Sequence, residues 1–476
     1  MAWRTAPALL IALALLAVPG APARTTQGAV RAGGDWTRFG YDAARHNAGP
    51  SRTGITARNV TKLARRRIGL PGTVDSSPIY LRGVRIGGGR HDAFFVTTSY
   101  GKTIAIDAGS GSILWTFTPS GYSSWAGSYR ITNSSPVADP SRGYVYSAAP
   151  DGKIHKLAVA NGGEVRSGPW PVSITQNPGR EKIGPALNYY RGLVLAATGG
   201  YVGDAPPYQG HVAVIDARTG RLVAVWNGLC SNRRGLIRPS TCSESGAAIW
   251  ARAGVVVVPG SGNLLVATGD GRFNGRTHWG DSVLMLKPRA GSLIRNWTPR
   301  NYQELDDNDI DLGSTAPALL GGGLAVQSGK DGKLRLLSLR RLSGKRGRTG
   351  GELQTVSTPG GQGLFSAPAV WRHRVYVGTD DGVWCYALVR GRLKVAWKRG
   401  NAGTSPVVAG GLVYAYNPNG GGVQVYSPGS GKVITRLRAG GGHWNSPIAT
   451  DGRVAVGEGD ANAHEERGVL DIYSVR

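Results

Sequence analysis

The sequence predicts an all-β fold: an eight-bladed β-propeller of four-stranded antiparallel blades, closed by an N-terminal strand. Three observations carry this. Short runs rich in β-branched and aromatic residues, such as "AFFVTTS", "LVLAAT", "RVYVGT" and "LVYAYN", are bounded by turn signals. Glycine supplies 74 of 476 residues, against a globular average of about 7%, with no Gly-X-Y period. A strand–turn–strand unit also recurs, as "YGKTIAIDAGSGSILWTF" from Tyr100, "QGHVAVIDARTGRLVAVW" from Gln209 and "GGVQVYSPGSGKVITRL" from Gly421.

A second marker gives the count. A step of small residues ending in Pro precedes most units: "SSP" at Pro78 and Pro136, "GP" at Pro185, "TAP" at Pro317, "SAP" at Pro368, "TSP" at Pro406 and "NSP" at Pro447. Successive prolines lie 38 to 58 residues apart, except for one gap of 132 that "SGAAIW" (Ser245–Trp250) divides. Eight units result. One such sheet cannot bury both of its faces, so neighbouring sheets must stack around an axis, as a period of about 40 to 50 residues implies.

Taken in chain order, residues 1–23 read as a secretory signal peptide. Arg4 precedes an apolar run from Ala6 to Val18 and the small residues Ala21, Pro22 and Ala23. Residues 24–476 then form one exported propeller domain, with no later stretch apolar enough to span a bilayer. Residues 56–64 suggest one short helix. "KLARRRIGL" (residues 62–70) can supply the outer strand that the last unit, ending "RGVLDIYSVR", lacks. Trp115, Trp226 and Trp397 close their units at equivalent places, which points to packing between blades. Export permits oxidation, so Cys230 and Cys242, flanking a polar loop, are expected to form a disulfide, and Cys385 on a strand a buried thiol.

The net charge of +27 comes from scattered Arg, with no compact basic helix or aromatic-interleaved strip. With export, this argues against nucleic acid and for an anionic envelope. There is no CxxCH haem attachment, no HExxH, no phosphate-binding Gly motif and no GxSxG elbow. Function is sought where the repeat breaks: residues 230–250, residues 268–281 ("TGDGRFNGRTHWGD") and residues 301–317 ("NYQELDDNDIDLGSTAP"). Acids crowd the third break, and Lys330 follows it in "GKDGKL".

From about Asp35 to the C-terminus the chain resembles the quinoprotein propellers, the pyrroloquinoline quinone (PQQ) alcohol dehydrogenases and their relatives. The opening "DWTRFGYDAARHNAGPS" and the repeated G-x-x-x-A-x-D-A-x-x-G-x-x-x-W pattern carry the resemblance. Those relatives include non-catalytic envelope assembly propellers. The resemblance implies that Trp250 stacks on PQQ and that Lys330 contacts the quinone. It implies a calcium ion held by Asp270, Asp309 and Asp204. Asp270 stands in "TGDG" where the family has Asn, and Asp204 stands where it has Glu. It further implies Asp309 or Asp311 as the base that takes the alcohol proton while hydride passes to the quinone. The chain departs from the enzymes in having no adjacent cysteine pair. Two readings follow. One is oxidation of an alcohol or sugar-like alcohol, with a separate electron acceptor. The other is a secreted scaffold that binds an envelope protein or an anionic cell-wall polymer.

Overall fold

A computed structural model describes residues 1–3, 33–289, 291–343 and 348–475. Apart from its first three residues, the expected signal peptide lies outside the described residues. Eight four-stranded antiparallel sheets follow one another along the chain. Blade 1 runs from Ile79 to Phe117, blade 2 from Val137 to Ser173, blade 3 from Asn188 to Asn227 and blade 4 from Val256 to Trp297. Blade 5 runs from Ala318 to Ser357, blade 6 from Ala369 to Arg399 and blade 7 from Thr404 to Leu437. The strand–turn–strand unit is the outer half of a blade: Thr103–Asp107 pairs with Ile113–Phe117 across the "GSG" turn.

Blade 8 joins the chain ends. Its strands Ile448–Thr450, Arg453–Glu458 and Gly468–Ser474 are completed by Ala64–Leu70, paired from Ala64↔Ser474 to Leu70↔Gly468. The closing strand is therefore where the sequence places it. The short helix expected over residues 56–64 is only a single 3-10 turn, Val60–Lys62, because the chain extends at Leu63 to enter that strand. The one α-helix among the described residues, Tyr302–Asp307, lies in the acidic third break.

Hydrophobic clusters fill the spaces between blades, and the tryptophans occupy them. Trp115 joins the cluster between blades 1 and 2, Trp226 that between 3 and 4, and Trp397 that between 6 and 7. Trp115 Nε1 donates to the Val159 carbonyl at 2.9 Å, so its one polar atom is satisfied in the core.

Residues 33–55 form a strap over one end of the barrel. Trp36 exchanges backbone hydrogen bonds with Tyr80 of blade 1, and the Thr37 carbonyl accepts from Ala138 of blade 2. Further along, Ala43 meets Val257, His46 meets Val370, Asn47 meets Val408, and Gly34 meets Thr450. Arg45, fully buried, donates to the carbonyls of Phe39, Ala186 and Leu187. No helix of the described residues is long and apolar enough to cross a membrane.

Ring closure concentrates charge at one point. Arg65 binds Asp471 through two nitrogens (3.0 and 2.7 Å) and Glu458 at 3.0 Å, and both carboxylates are buried. Arg65 is itself exposed, so solvent partly screens these pairs, and leaving the buried carboxylates without it costs about 1–3 kcal/mol. Arg65→Met is expected to lower the melting temperature by several degrees, measured by circular dichroism. The exposed neighbour Arg66→Met should leave it unchanged.

Candidate active site

Residues at or near several of the small–Pro steps line an axial cavity of about 350 Å³. Its aromatic surface is Trp250, Phe365 and Trp444. Phe365 and Trp444 stack at 4.9 Å between centroids, and Trp250 lies 5.8 Å from Trp444. Lys330 Nζ sits 5.9 Å from the Trp250 ring centre, and the Arg252 guanidinium 5.6 Å from that of Trp444.

One side of the cavity is acidic. Oxygen atoms of Asp270, Asp309 and Asp311 lie within 4.8 Å of one another. Lys330 Nζ binds Asp311 Oδ2 at 2.7 Å, the Asp309 carbonyl at 3.0 Å and the Asp309 carboxylate. Asp311 Oδ1 accepts the Asp270 backbone N–H at 2.8 Å. This contact requires Gly269, since a Cβ there would lie 1.7 Å from Asp311 Oδ1. Asp309 adopts a left-handed φ of 53°, which Asp tolerates better than most residues, and remains exposed at the mouth.

These carboxyls do not titrate alike. Burial, the Asp311 charge and a hydrogen bond to Asp309 push Asp270 up to about 9. Burial pushes Asp309 up too, but its bonds from Lys330 and Asp270 outweigh this and hold it below its ordinary value. Lys330 is raised despite its burial, by the Asp311 charge and its bond to Asp309. Asp270 Oδ1 is buried without a partner. Three convergent hard oxygens with one orphaned atom suit a hard divalent cation such as calcium. The aromatic surface and the flanking cations suit a planar aromatic anion such as PQQ. Asp204 lines the same cavity, with Oδ1 against Gly200 where a Cβ would lie 2.3 Å away, but is not one of the three clustered acids.

The opposite side was not anticipated from sequence. Asp75, fully buried, accepts from Asn133 Nδ2 (2.6 Å), His443 Nδ1 (2.9 Å), the Ala461 N–H (3.1 Å) and Arg252. Burial alone would raise this carboxyl, but Arg252 and His443 hold it well below the usual range. The available signal was position: Asp75, Asn133, Phe365 and Trp444 each immediately precede a marker step. The second break supplies Asp270, and the third Asp309 and Asp311. The first break contributes Trp250 only, beyond its disulfide, Cys230–Cys242, and Arg252 lies just past its end. Cys385 is a free, buried thiol.

The fold is an eight-bladed propeller, and part of it matches a known family. Residues 73–282, within which blades 1 to 3 and half of blade 4 lie, match the family described as outer membrane protein assembly factor BamB. No curated protein sequence matches the chain. Among solved structures, it is similar to a quinohemoprotein alcohol dehydrogenase from Comamonas testosteroni, at 17% identity over 93% of this chain and 80% of that one, TM-score 0.67. A europium-containing methanol dehydrogenase matches at 15% identity over 93% and 98%, TM-score 0.67. BamB from Moraxella catarrhalis matches at 12% identity over 86% and 98%, TM-score 0.53. At these identities the likeness is one of fold.

Beside the cavity, Glu181 and His211 are buried with Oε2 and Nε2 3.7 Å apart. Burial pushes Glu181 up from 4.5 to about 8, against hydrogen bonds from Thr175 and Gln209, and pushes His211 down from 6.5 to about 4. Between pH 4.5 and 8 the folded state retains a Glu181 proton that the unfolded state releases. That contribution therefore falls as pH rises. His211 acts oppositely between pH 4 and 6.5, so the two offset each other until about pH 6.5 and the Glu181 loss then stands alone. Chemical denaturation should show stability declining from pH 6.5 to 8 by on the order of 1–2 kcal/mol, and Glu181→Gln should flatten that decline.

Proposed function

We propose that the protein is an extracytoplasmic, quinoprotein-like propeller that holds PQQ and calcium in the axial cavity. It oxidises an alcohol or sugar-like alcohol and delivers the electrons to a separate acceptor. The convergence of Trp250, Lys330, Asp309 and Asp311 on one cavity, with Asp270 clustered against the last two, from blades 4 and 5 and the loops that precede them, carries this reading. A packed axis with those residues apart would have spoken against it.

When bound, PQQ supplies the two-electron acceptor and calcium the Lewis acid. Trp250 offers a ring face to a planar ligand. Asp270, Asp309 and Asp311 are the residues that would hold the cation. Asp309 stays ionised beside Lys330 at the mouth and is placed to accept a proton from an alcohol hydroxyl. Asp311, buried and fixed by the Asp270 backbone, is the positioning partner and the second candidate for that proton.

A second reading has its own support. The match of residues 73–282 is to an assembly factor family. Between blades 7 and 8 lies a surface depression of about 520 Å³ lined by Arg65, Arg67, Arg436 and Arg438. A scaffold for an envelope protein or an anionic polymer would use such a surface.

Isothermal titration separates the readings. Calcium-dependent binding of one PQQ per chain is expected, weakened at least about tenfold (~1.4 kcal/mol) by Trp250→Ala and by Asp270→Ala. Absence of heat with PQQ in large excess would overturn the dehydrogenase reading and leave the scaffold.

A further inference from the structure

Three cations reach the axial cavity, and two are committed. Arg252 is bound to Asp75, and Lys330 to Asp309 and Asp311. The third, Lys182, makes no hydrogen bond and no ion pair among the described residues. It lies on the two-residue strand Glu181–Lys182, paired Lys182↔Gly199 and Glu181↔Gly200. Alternation along that strand sends Glu181 into the buried pair with His211 and Lys182 to the cavity. A structural lysine so placed is normally tied to a carboxylate, but the buried acid that acts on it most strongly, Asp75, already accepts from four groups.

We propose that Lys182 is a carbonyl-reactive amine, and that the cavity captures a small aldehyde as an imine on its Nζ. An amine becomes a nucleophile when desolvation and a neighbouring cation disfavour its protonated form. Both conditions hold. Burial, with Arg252 adding repulsion against the attraction of Asp75, Asp460 and Asp204, lowers Lys182 to about 8. The step balances without a redox partner. The neutral amine adds to the carbonyl carbon, a C–N bond forms, and the carbonyl oxygen departs as water to leave C=N. The proton shed by the ammonium passes to solvent water. Trp250, Phe365 and Trp444 supply the apolar surface that favours an aromatic aldehyde over a hydrated aliphatic one.

The inference shares its cavity with the reading above, and names a carbonyl product of alcohol oxidation as the ligand class. Its test uses neither PQQ nor calcium, so its failure and that of PQQ binding are separate results. The mature protein is incubated near neutral pH with benzaldehyde and cyanoborohydride, which reduces an imine to a stable secondary amine, and labelled lysines are located by peptide mass. Lys182 is expected to label at least about tenfold faster than the exposed Lys62 and Lys432, because far more of it is unprotonated. Lys182→Arg, which keeps the charge and the fold, should abolish the fast adduct. Labelling of Lys182 no faster than that of Lys62 and Lys432, or a fast adduct that persists in Lys182→Arg, would overturn the proposal.

Discussion

A belt of hydrogen bonds around the axis is the constraint on which the rest of the structure depends. Most small–Pro steps bond directly to the next: Ser77 N–H to Ser135 Oγ, Ser134 Oγ to the Pro185 carbonyl and Ala186 N–H to the Arg252 carbonyl; between units four and five the link is indirect, Gly269 N–H to the Ala248 carbonyl and Asp270 N–H to Asp311. It continues from Ser314 to Leu364, Ala367 to Ser405, Ser446 to Ser405 and Ser77 to Ser446, which completes the circuit. These backbones are buried, so each polar group must find a partner within the protein. Small side chains let the inner ends of the sheets approach closely enough to provide one. The belt also divides the axis. Residues before the steps line the cavity, and residues just after them hold the strap.

That division explains the chemistry of the cavity. Inner loops of a propeller need not repeat, since only the belt and the interblade cores impose periodicity. Here they bring an acidic face, balanced by Lys330, opposite a cationic face organised by Asp75. Two charge systems of opposite sign sit across an aromatic surface inside one low-dielectric chamber. Such an arrangement is complementary to a ligand that is itself polar at both ends and flat between them.

Much of this was legible in the sequence because repetition is loud. The Gly-bounded strands, the blade count, the closing strand and the interblade tryptophans all follow from period and composition. The site was legible where the repeat is interrupted, hence Asp270, Asp309 and Asp311. Asp75, His443, Lys182 and Trp444 were not, because they occupy ordinary positions in ordinary units, and their meeting depends on closure of the ring. The helix at Tyr302–Asp307 is too short to show a periodic pattern. The 3-10 turn at Val60–Lys62 reads as helix until the strand beyond it is seen to claim Ala64.

The strap has a consequence in time. Gly34 bonds to Thr450, 416 residues away, and Ala64 pairs with Ser474. Gly34 and the strand from Ala64 thus find these partners only when the last blade exists, although Trp36 and Thr37 already meet blades 1 and 2. Contacts so distant in sequence exact their loop-closure entropy before they return any stability. The growing chain must therefore wait, its early blades stacked but unsealed, until the final strand arrives and ring and strap lock together.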